Sequence, residues 1–360
     1  MTTYADSGVN IELGDDASKV MYEAAKLTWK NREGRLGEVV TPKDDFSGVR
    51  VMNVGGLPEG SVMCMGFDGV GTKVELAERL ERHDTVAFDL FAMVCDDAVV
   101  YGGEPVLIGS ILDVNSLGKE GASYLNFMKQ LATGYVTAAK AARVAVINGE
   151  IAELGARISG YGAFNYNWGS AAIWFAKKDR LFTGAEIKVG DKVVTLREKG
   201  FRSNGFSLLR KVMKDNYGEK WHAEKLDGKS MGELALEPSQ LYCAAVCDMF
   251  GGFADEKQCE VHGVAHITGG GIVGKLGRVL KRAGLGVKLP TLFEPCALMQ
   301  HAIKVGNVAR DEAYRSWNMG NGMVVIVAPG EEQKAIAIAV QHGIEAQVCG
   351  EIVKEPGIVL

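Results

Sequence analysis

Apolar and polar positions come in short blocks along the whole chain, and strand-like blocks alternate with helix-like ones. Residues 61–66 (SVMCMG) form a brief apolar run that predicts a strand. It empties into the glycine-rich stretch FDGVGTK, after which a helical pattern covers 74–82. A second helix is predicted over 86–101, apolar on most of its faces. A strand over 106–113, a long helix over 121–143 and a buried strand over 144–147 follow, the last ending at Asn148-Gly149. Residues 170–178 (SAAIWFAKK) again read as a strand.

The texture then changes. Residues 179–191 (DRLFTGAEIKVGD) are polar and turn-like, so a domain boundary is placed near residue 175, giving domains 1–175 and 176–360. In the second half a strand over 192–196 leads through FRSNGF to a helix over 207–215. A strand over 263–268 leads through GGG to a helix over 272–280. This alternation predicts an α/β (α+β) protein, and no short repeat or low-complexity tract interrupts it.

Composition narrows the class. At 360 residues the chain is long enough for two domains, and 47% apolar content excludes wholesale disorder. Forty basic residues against 45 acidic ones give a net charge of −5, which argues against a nucleic-acid partner. No apolar run reaches the ~18 residues of a membrane span, and MTTYADSGVN has no basic start or apolar segment. A soluble, cytoplasmic protein is expected. Glycine is frequent (46) and proline scarce (8), a balance that suggests turns and close backbone approach to a ligand rather than linkers. The seven cysteines are scattered without a C-x-x-C pair. Even Cys243 and Cys247, four apart on a predicted helix, read better as buried thiols than as a metal or disulfide pair.

Chemistry is concentrated in a few places. GFDGVGTK (Gly66, Asp68, Gly69, Gly71, Thr72, Lys73) fails both the Walker A and the G-x-G-x-x-G patterns. What remains is a strand ending in a glycine turn with one acid and one base. Backbone N–H groups and Lys73 could face phosphate while Asp68 holds magnesium, although a plain tight turn would look the same. The following apolar helix carries Asp89, Asp96 and Asp97. Carboxylates sharing one face repel unless water or a cation separates them, so a metal face and a solvated acidic stripe both remain open. In NGEIAE, Glu150 and Glu153 are expected to leave the C-terminal edge of a strand, where α/β proteins gather ligands. Ser203, Asn204 and Gly205 precede one helix, and Thr268, Gly269, Gly270 and Gly271 precede another. Each loop suits either an anion at a helix N-terminus or an ordinary cap. Together these features predict a cleft holding two anionic ligands with a cation between them. His262 and His266 fall on one face of a regular strand; His266 is expected to be a hydrogen-bonding or acid–base residue of the pocket and His262 structural.

These residues sit in stretches that resemble the phosphoribosylformylglycinamidine cyclo-ligase (aminoimidazole ribonucleotide synthetase) family over nearly the whole chain. They are YADSGVNIELG, GFDGVGTK, RHDTVAFDLFAM, DDAVVYGGEP, RSNGFSLLRK, HITGGG, GNVARDEAYRSWN and GNGM. The resemblance implies an N-terminal domain whose sheet pairs into a dimeric barrel and a C-terminal α/β domain covering the cleft. It implies a homodimer that uses ATP and Mg²⁺ to phosphorylate the formyl oxygen of formylglycinamidine ribonucleotide and close the imidazole ring. Carried over by position, Asp68 and Asp97 match acids at Mg²⁺–ATP, Lys73 the loop base, Glu150 the strand-end acid, and the two later glycine loops anion sites.

The chain also departs from the family pattern. Phe67 and Ile151 stand where threonines are usual, Asp96 where asparagine is, Asn148 where glycine is, and Arg202 where histidine is. The methionine–proline pair of the strand-end motif is missing, and WNMGNG replaces FNCGVG. Two alternative readings accompany the main one: a relative phosphorylating another acceptor, as selenophosphate synthetase, thiamine-phosphate kinase and the amidotransferase-type synthase do, or a non-catalytic dimeric scaffold.

Overall fold

The four apolar blocks of the first half join into one sheet. A computed structural model of the chain describes residues 11–41, 48–119 and 121–360. The first ten residues, with the YADSGVN part of the N-terminal motif, lie outside the described residues. The sheet runs in the order Ser61–Gly69, Tyr166–Lys177, Glu104–Val114, Ala145–Glu153. The last two strands are parallel, joined through the helix Leu125–Ala142, as a parallel crossover requires.

Alternation along the central strand shows which face is covered. Tyr166, Trp168, Ser170 and Ala172 are buried while the residues between them are more open. On the covered face, Trp168 packs against Tyr135 and Tyr135 against Phe91, and the Tyr135 hydroxyl lies 2.7 Å from Ser110 Oγ. The helices Val86–Val99 and Leu125–Ala142 therefore lie on that face. The opposite face carries exposed Ile111.

The two edges are treated differently. At the Ala145–Glu153 edge, Val146 N–H donates to Thr28 Oγ1 (2.8 Å) and Val146 C=O accepts from Trp29 Nε1 (2.8 Å). The helix Ile11–Trp29 thus occupies backbone groups that a bare edge would leave open. On the other edge strand, Ser61–Gly69, Met63, Met65 and Phe67 alternate on one side and are all exposed.

Several expected boundaries shift. The long helix starts at Leu125, after a small hairpin pairing Gly118–Lys119 with Ala122–Ser123. The second helix ends at Val99. The strand expected over 144–147 continues to Glu153, because its parallel partner keeps pairing as far as Val114, with a bulge between Ile108 and Gly109 absorbing one residue.

The second sheet has six strands in the order Val261–His266, Asn321–Val327, Lys192–Arg197, Ala346–Val353, Gly286–Lys288, Gly357–Val359. All neighbours are antiparallel except the last pair. Strand Asn321–Val327 is buried at every position, so its near-continuous apolar run reflects cover on both faces. Helices Cys243–Phe250 and Glu332–Gln341 pack together, as do Gly271–Leu280 and Arg310–Ser316.

The chain forms two compact units. One holds the residues up to Cys95 and Pro105–Trp174; the other holds Asp96–Glu104 and Phe175–Leu360. Besides the change of unit between Trp174 and Phe175, nine residues of the first half, 96–104, belong to the second unit.

Candidate active site

In the N-terminal unit the strand Ser61–Gly69 carries the glycine motif to its end, and a 3-10 turn, Gly71–Lys73, feeds the helix Val74–Leu80. Gly66 and Gly71 have open space around them, Thr72 is exposed, and exposed Asp68 accepts a hydrogen bond from Gly69 N–H at 2.7 Å. Lys73 points elsewhere than expected. Its Nζ lies 2.7 Å from Asp89 Oδ1, and both side chains are fully buried. An ammonium enclosed with a carboxylate is taken up by that pair. Lys73 is thereby corrected from phosphate-facing base, and Asp89 from metal ligand, to an internal ion pair.

Glu150 is exposed on the strand Ala145–Glu153, opposite Ile111, rather than beyond the strand's end. Glu153 accepts from Leu117 N–H at 2.8 Å and holds a loop. Asp68 and Glu150 lie on opposite edge strands with two strands between them. At the usual strand spacing that is about 14 Å, too far for one ion to bridge.

In the second unit the neighbouring acids Asp96 and Asp97 have opposite fates. Asp96 is buried: Oδ1 accepts from Tyr242 N–H (2.9 Å) and Cys243 N–H (2.8 Å), and Oδ2 from Arg202 Nη2 (2.9 Å). It therefore satisfies the N-terminal amides of helix Cys243–Phe250 and neutralises an arginine, so its expected metal role is corrected as well. Asp97 is half exposed (51%), and its Oδ1 sits 2.7 Å from His266 Nδ1. Partial burial pushes its carboxyl up, but the bond from His266 and the charges of Lys275 and Arg202 outweigh this and hold it below the ordinary carboxylate value.

His266 is buried, and both ring nitrogens are engaged, Nδ1 with Asp97 and Nε2 with Arg202 Nη2 at 2.7 Å. Of the two roles the sequence left open for it, hydrogen bonding is the one these contacts display. His262 meets a different acid, with Nδ1 2.7 Å from Asp191. A register shift between Val261 and Gly263 breaks the regular strand on which the shared face of the two histidines depended.

The two later glycine loops abut. A Cβ on Gly269 would lie 3.6 Å from Asn204 Nδ2. Both loops also run against the segment 314–317. A Cβ on Gly205 would come within 2.3 Å of Trp317 Cδ1, and one on Gly271 within 1.9 Å of Tyr314 C=O. With φ of +80° and +59°, neither position accommodates another residue. Each loop opens a helix that lacks a side-chain cap, Phe206–Tyr217 and Gly271–Leu280. Ser203 Oγ and Asn204 Oδ1 are buried without a hydrogen-bond partner among the described residues. The unused Ser203 hydroxyl, beside two helix N-termini without side-chain caps, is a donor that an anion could engage, whereas Asn204 Oδ1 can only accept.

A cavity of about 270 Å³ adjoins Asp97 and His266, lined also by Tyr101, Phe182, Lys275 and Arg278. Sequence reasoning missed these four. Lys275 and Arg278 are three apart on the helix after HITGGG, a same-face spacing that could have shown them.

Among the described residues no three or more His, Cys, Asp or Glu side chains are grouped to hold a metal. The remaining acids Asp68, Asp97 and Glu150 are all hard oxygen donors. That donor chemistry fits magnesium, which takes one or two carboxylates and completes its shell with phosphate oxygens and water.

The AIR synthase related protein N-terminal domain model matches residues 47–167, and the corresponding C-terminal domain model matches 188–360. The phosphoribosylformylglycinamidine cyclo-ligase of Acetivibrio thermocellus is 32% identical over 357 residues, 99% of this chain and 98% of that protein. That of Anaeromyxobacter dehalogenans is 34% identical over 350 residues, 97% and 95% of the two chains. That of Thermococcus kodakarensis is 32% identical over 359 residues, 99% and 97%. Among solved structures, thiamine-monophosphate kinase from Stenotrophomonas maltophilia has a TM-score of 0.59 at 13% identity, covering 92% of this chain and 93% of that one. The hydrogenase maturation protein HypE of E. coli has a TM-score of 0.59 at 14% identity, covering 92% and 90%. At these identities the structures share the fold.

Proposed function

The chain belongs to the AIR synthase family, and we propose that it performs the ATP-dependent ring closure of its cyclo-ligase relatives with Asp68, Asp97 and the paired glycine loops as its working groups. The γ-phosphoryl group of ATP passes to the formyl oxygen of formylglycinamidine ribonucleotide, releasing ADP. An amidine-side nitrogen attacks the activated formyl carbon, the former formyl oxygen leaves as part of phosphate, and the aminoimidazole ring closes. Such chemistry needs alignment and charge neutralisation more than covalent help from the protein.

The carrying observation is identity of 32–34% to cyclo-ligases over at least 97% of the chain. Asp68 and Asp97 are open to solvent and are the acids assigned to Mg²⁺, while Glu150, on the sheet edge opposite Asp68, is assigned to substrate. Bound magnesium would screen the phosphate charges and polarise the transferring group. The Ser203 hydroxyl, the Asn204 side-chain amide N–H and the N–H groups of Gly269 and Gly270 would hold a phosphate, and the cavity beside Asp97 would take part of the substrate. Asp97, held below the ordinary carboxylate value by its neighbours, stays a carboxylate near neutral pH and in that form can ligate a metal.

A homodimer is the second part of the proposal. Met63, Met65 and Phe67 line one side of an open edge strand, and the sheet's uncovered face carries exposed Ile111. A second copy is the occupant expected from the family. No helix among the described residues is long and apolar enough to cross a membrane, and with the enzyme's small polar substrates this supports a cytoplasmic location.

One assay tests the function. Purified protein is mixed with Mg²⁺–ATP and formylglycinamidine ribonucleotide, and ADP and aminoimidazole product are followed. Stoichiometric product upholds the reading. ADP formed only with another acceptor, or no nucleotide binding, overturns it.

A further inference from the structure

Asp96 and Arg202 form a buried ion pair at 2.9 Å. Arg202 is fully buried and left-handed at φ 59°, an unfavourable conformation for a residue with a Cβ. Nη1 donates to Glu198 Oε2 (2.7 Å) and to Gln240 C=O (2.8 Å), while Nη2 donates to Asp96 and to His266 Nε2. Its guanidinium also lies 5.1 Å from the Tyr242 ring. Tyr242 O–H donates to Glu198 in turn (3.1 Å), closing the network.

We infer that the Asp96–Arg202 pair is a positioning device that fixes the tautomer of His266 and thereby the orientation of Asp97. A guanidinium has donors and no acceptor, so the His266 nitrogen facing it must present a lone pair. The proton of the neutral ring then sits on Nδ1, where Asp97 receives it at 2.7 Å. A histidine at 202 could offer the same nitrogen either a donor or an acceptor and would leave the tautomer open. Asp96 supplies the charge that lets an arginine occupy this buried position beside Glu198, and its other oxygen anchors the pair to helix Cys243–Phe250. Arg202 serves two buried carboxylates, Asp96 and Glu198, so losing the arginine strands both, while exchanging Asp96 and Arg202 together keeps the cluster's net charge. The catalytic consequence rests on the cyclo-ligase reading above, whereas the tautomer does not.

The full-length protein, labelled with ¹⁵N-histidine, is compared with Arg202→His, Arg202→Lys, Asp96→Asn and the double variant Asp96→Asn/Arg202→His. The wild type is expected to show a protonated Nδ1 and an unprotonated Nε2 for His266, and each single variant a mixture. Each single variant should lose about tenfold or more in kcat with KM for ATP changed less than about twofold, the pattern of a misplaced group rather than lost binding. The double variant should lose no more than Arg202→His alone, a non-additive result for residues in contact. A His266 proton on Nε2 in the wild type, or a double variant whose loss is the product of the two single losses, overturns the inference. Should Arg202→His fail to fold, Arg202→Lys keeps the charge but cannot span Asp96 and His266 together, and an unmixed tautomer there would also overturn it. A wild type with the stated tautomer but no aminoimidazole product sinks the functional reading alone.

Discussion

Lys73 Nζ and Asp89 Oδ1 are 2.7 Å apart with neither side chain accessible to water, so the base of the glycine motif and the first acid of helix Val86–Val99 neutralise each other inside the N-terminal unit. Removing one partner strands the other charge. Lys73→Met is expected to cost about 3–5 kcal/mol, while Lys73→Met/Asp89→Leu regains most of it. Urea unfolding followed by tryptophan fluorescence measures both. Equal stability of wild type and Lys73→Met would contradict the pairing.

Asp97 behaves in the opposite way because it is half in solvent. Asp97→Asn should lower kcat by about 100-fold or more, the range for losing a group that stabilises transition-state charge. Its melting temperature should stay within a few degrees of wild type. Asp68→Asn should act similarly, and unchanged rates in either variant would remove that residue from the proposed site.

His83 supplies a pH prediction. It is enclosed by Phe127, Phe164 and Tyr166, and burial lowers its pKa to about 4. Because the unfolded value lies near 6.5, acid puts a proton on the unfolded chain before the folded one. The stability contribution is complete above that value and declines as pH falls toward 4. By pH 5 the loss is about 2 kcal/mol, at about 1.4 kcal/mol per unit. Denaturant titrations at pH 7 and pH 5 should show this loss in wild type and not in His83→Gln.

The edge strand predicts an oligomer that charge can break. Met63→Lys/Phe67→Asp should shift the protein from dimer to monomer in light scattering after gel filtration, since both side chains are exposed on one side of Ser61–Gly69. A wild-type monomer at all concentrations would refute the dimer.

Thiol chemistry checks the same strand independently. Cys259 and Cys349 are pushed up to about 12 by burial and should resist a disulfide reagent, whereas exposed Cys64 should react first. Cys64 lies between Met63 and Met65 and faces the other side of the strand, so its rate should stay independent of protein concentration when the Met63–Phe67 side is covered. A Cys64 that reacts more slowly than Cys259 would contradict its exposure.

Periodicity exposed most of the elements because blocks such as SVMCMG and SAAIWFAKK are bounded by clear changes of pattern. Glu150 was misread because Asn148-Gly149 resembles a strand terminator, yet a bulge against Gly109 lets pairing continue. The adjacent acids Asp96 and Asp97 look equivalent in sequence. Their difference comes from groups more than a hundred residues away, Arg202 and the amides of 242–243 for one, His266 for the other. Side-chain periodicity marks a helical face but not its distant partner. The two glycine loops were legible because glycine before a helix is a local signal. Their adjacency was not, since Tyr314 and Trp317 set it through tertiary packing.

Because residues 96–104 count with the C-terminal unit, that half is not a free-standing module of the linear gene. A recombinant fragment beginning at residue 176 would be born without Asp96, Asp97 and Glu104. Helix Cys243–Phe250 would then lack the carboxylate on its leading amides, Phe253 N–H would lose its acceptor, and His266 would have no acid to hold. Dissection of this protein therefore calls for a graft that splices the short helical excursion back in, and a simple truncation should be insoluble.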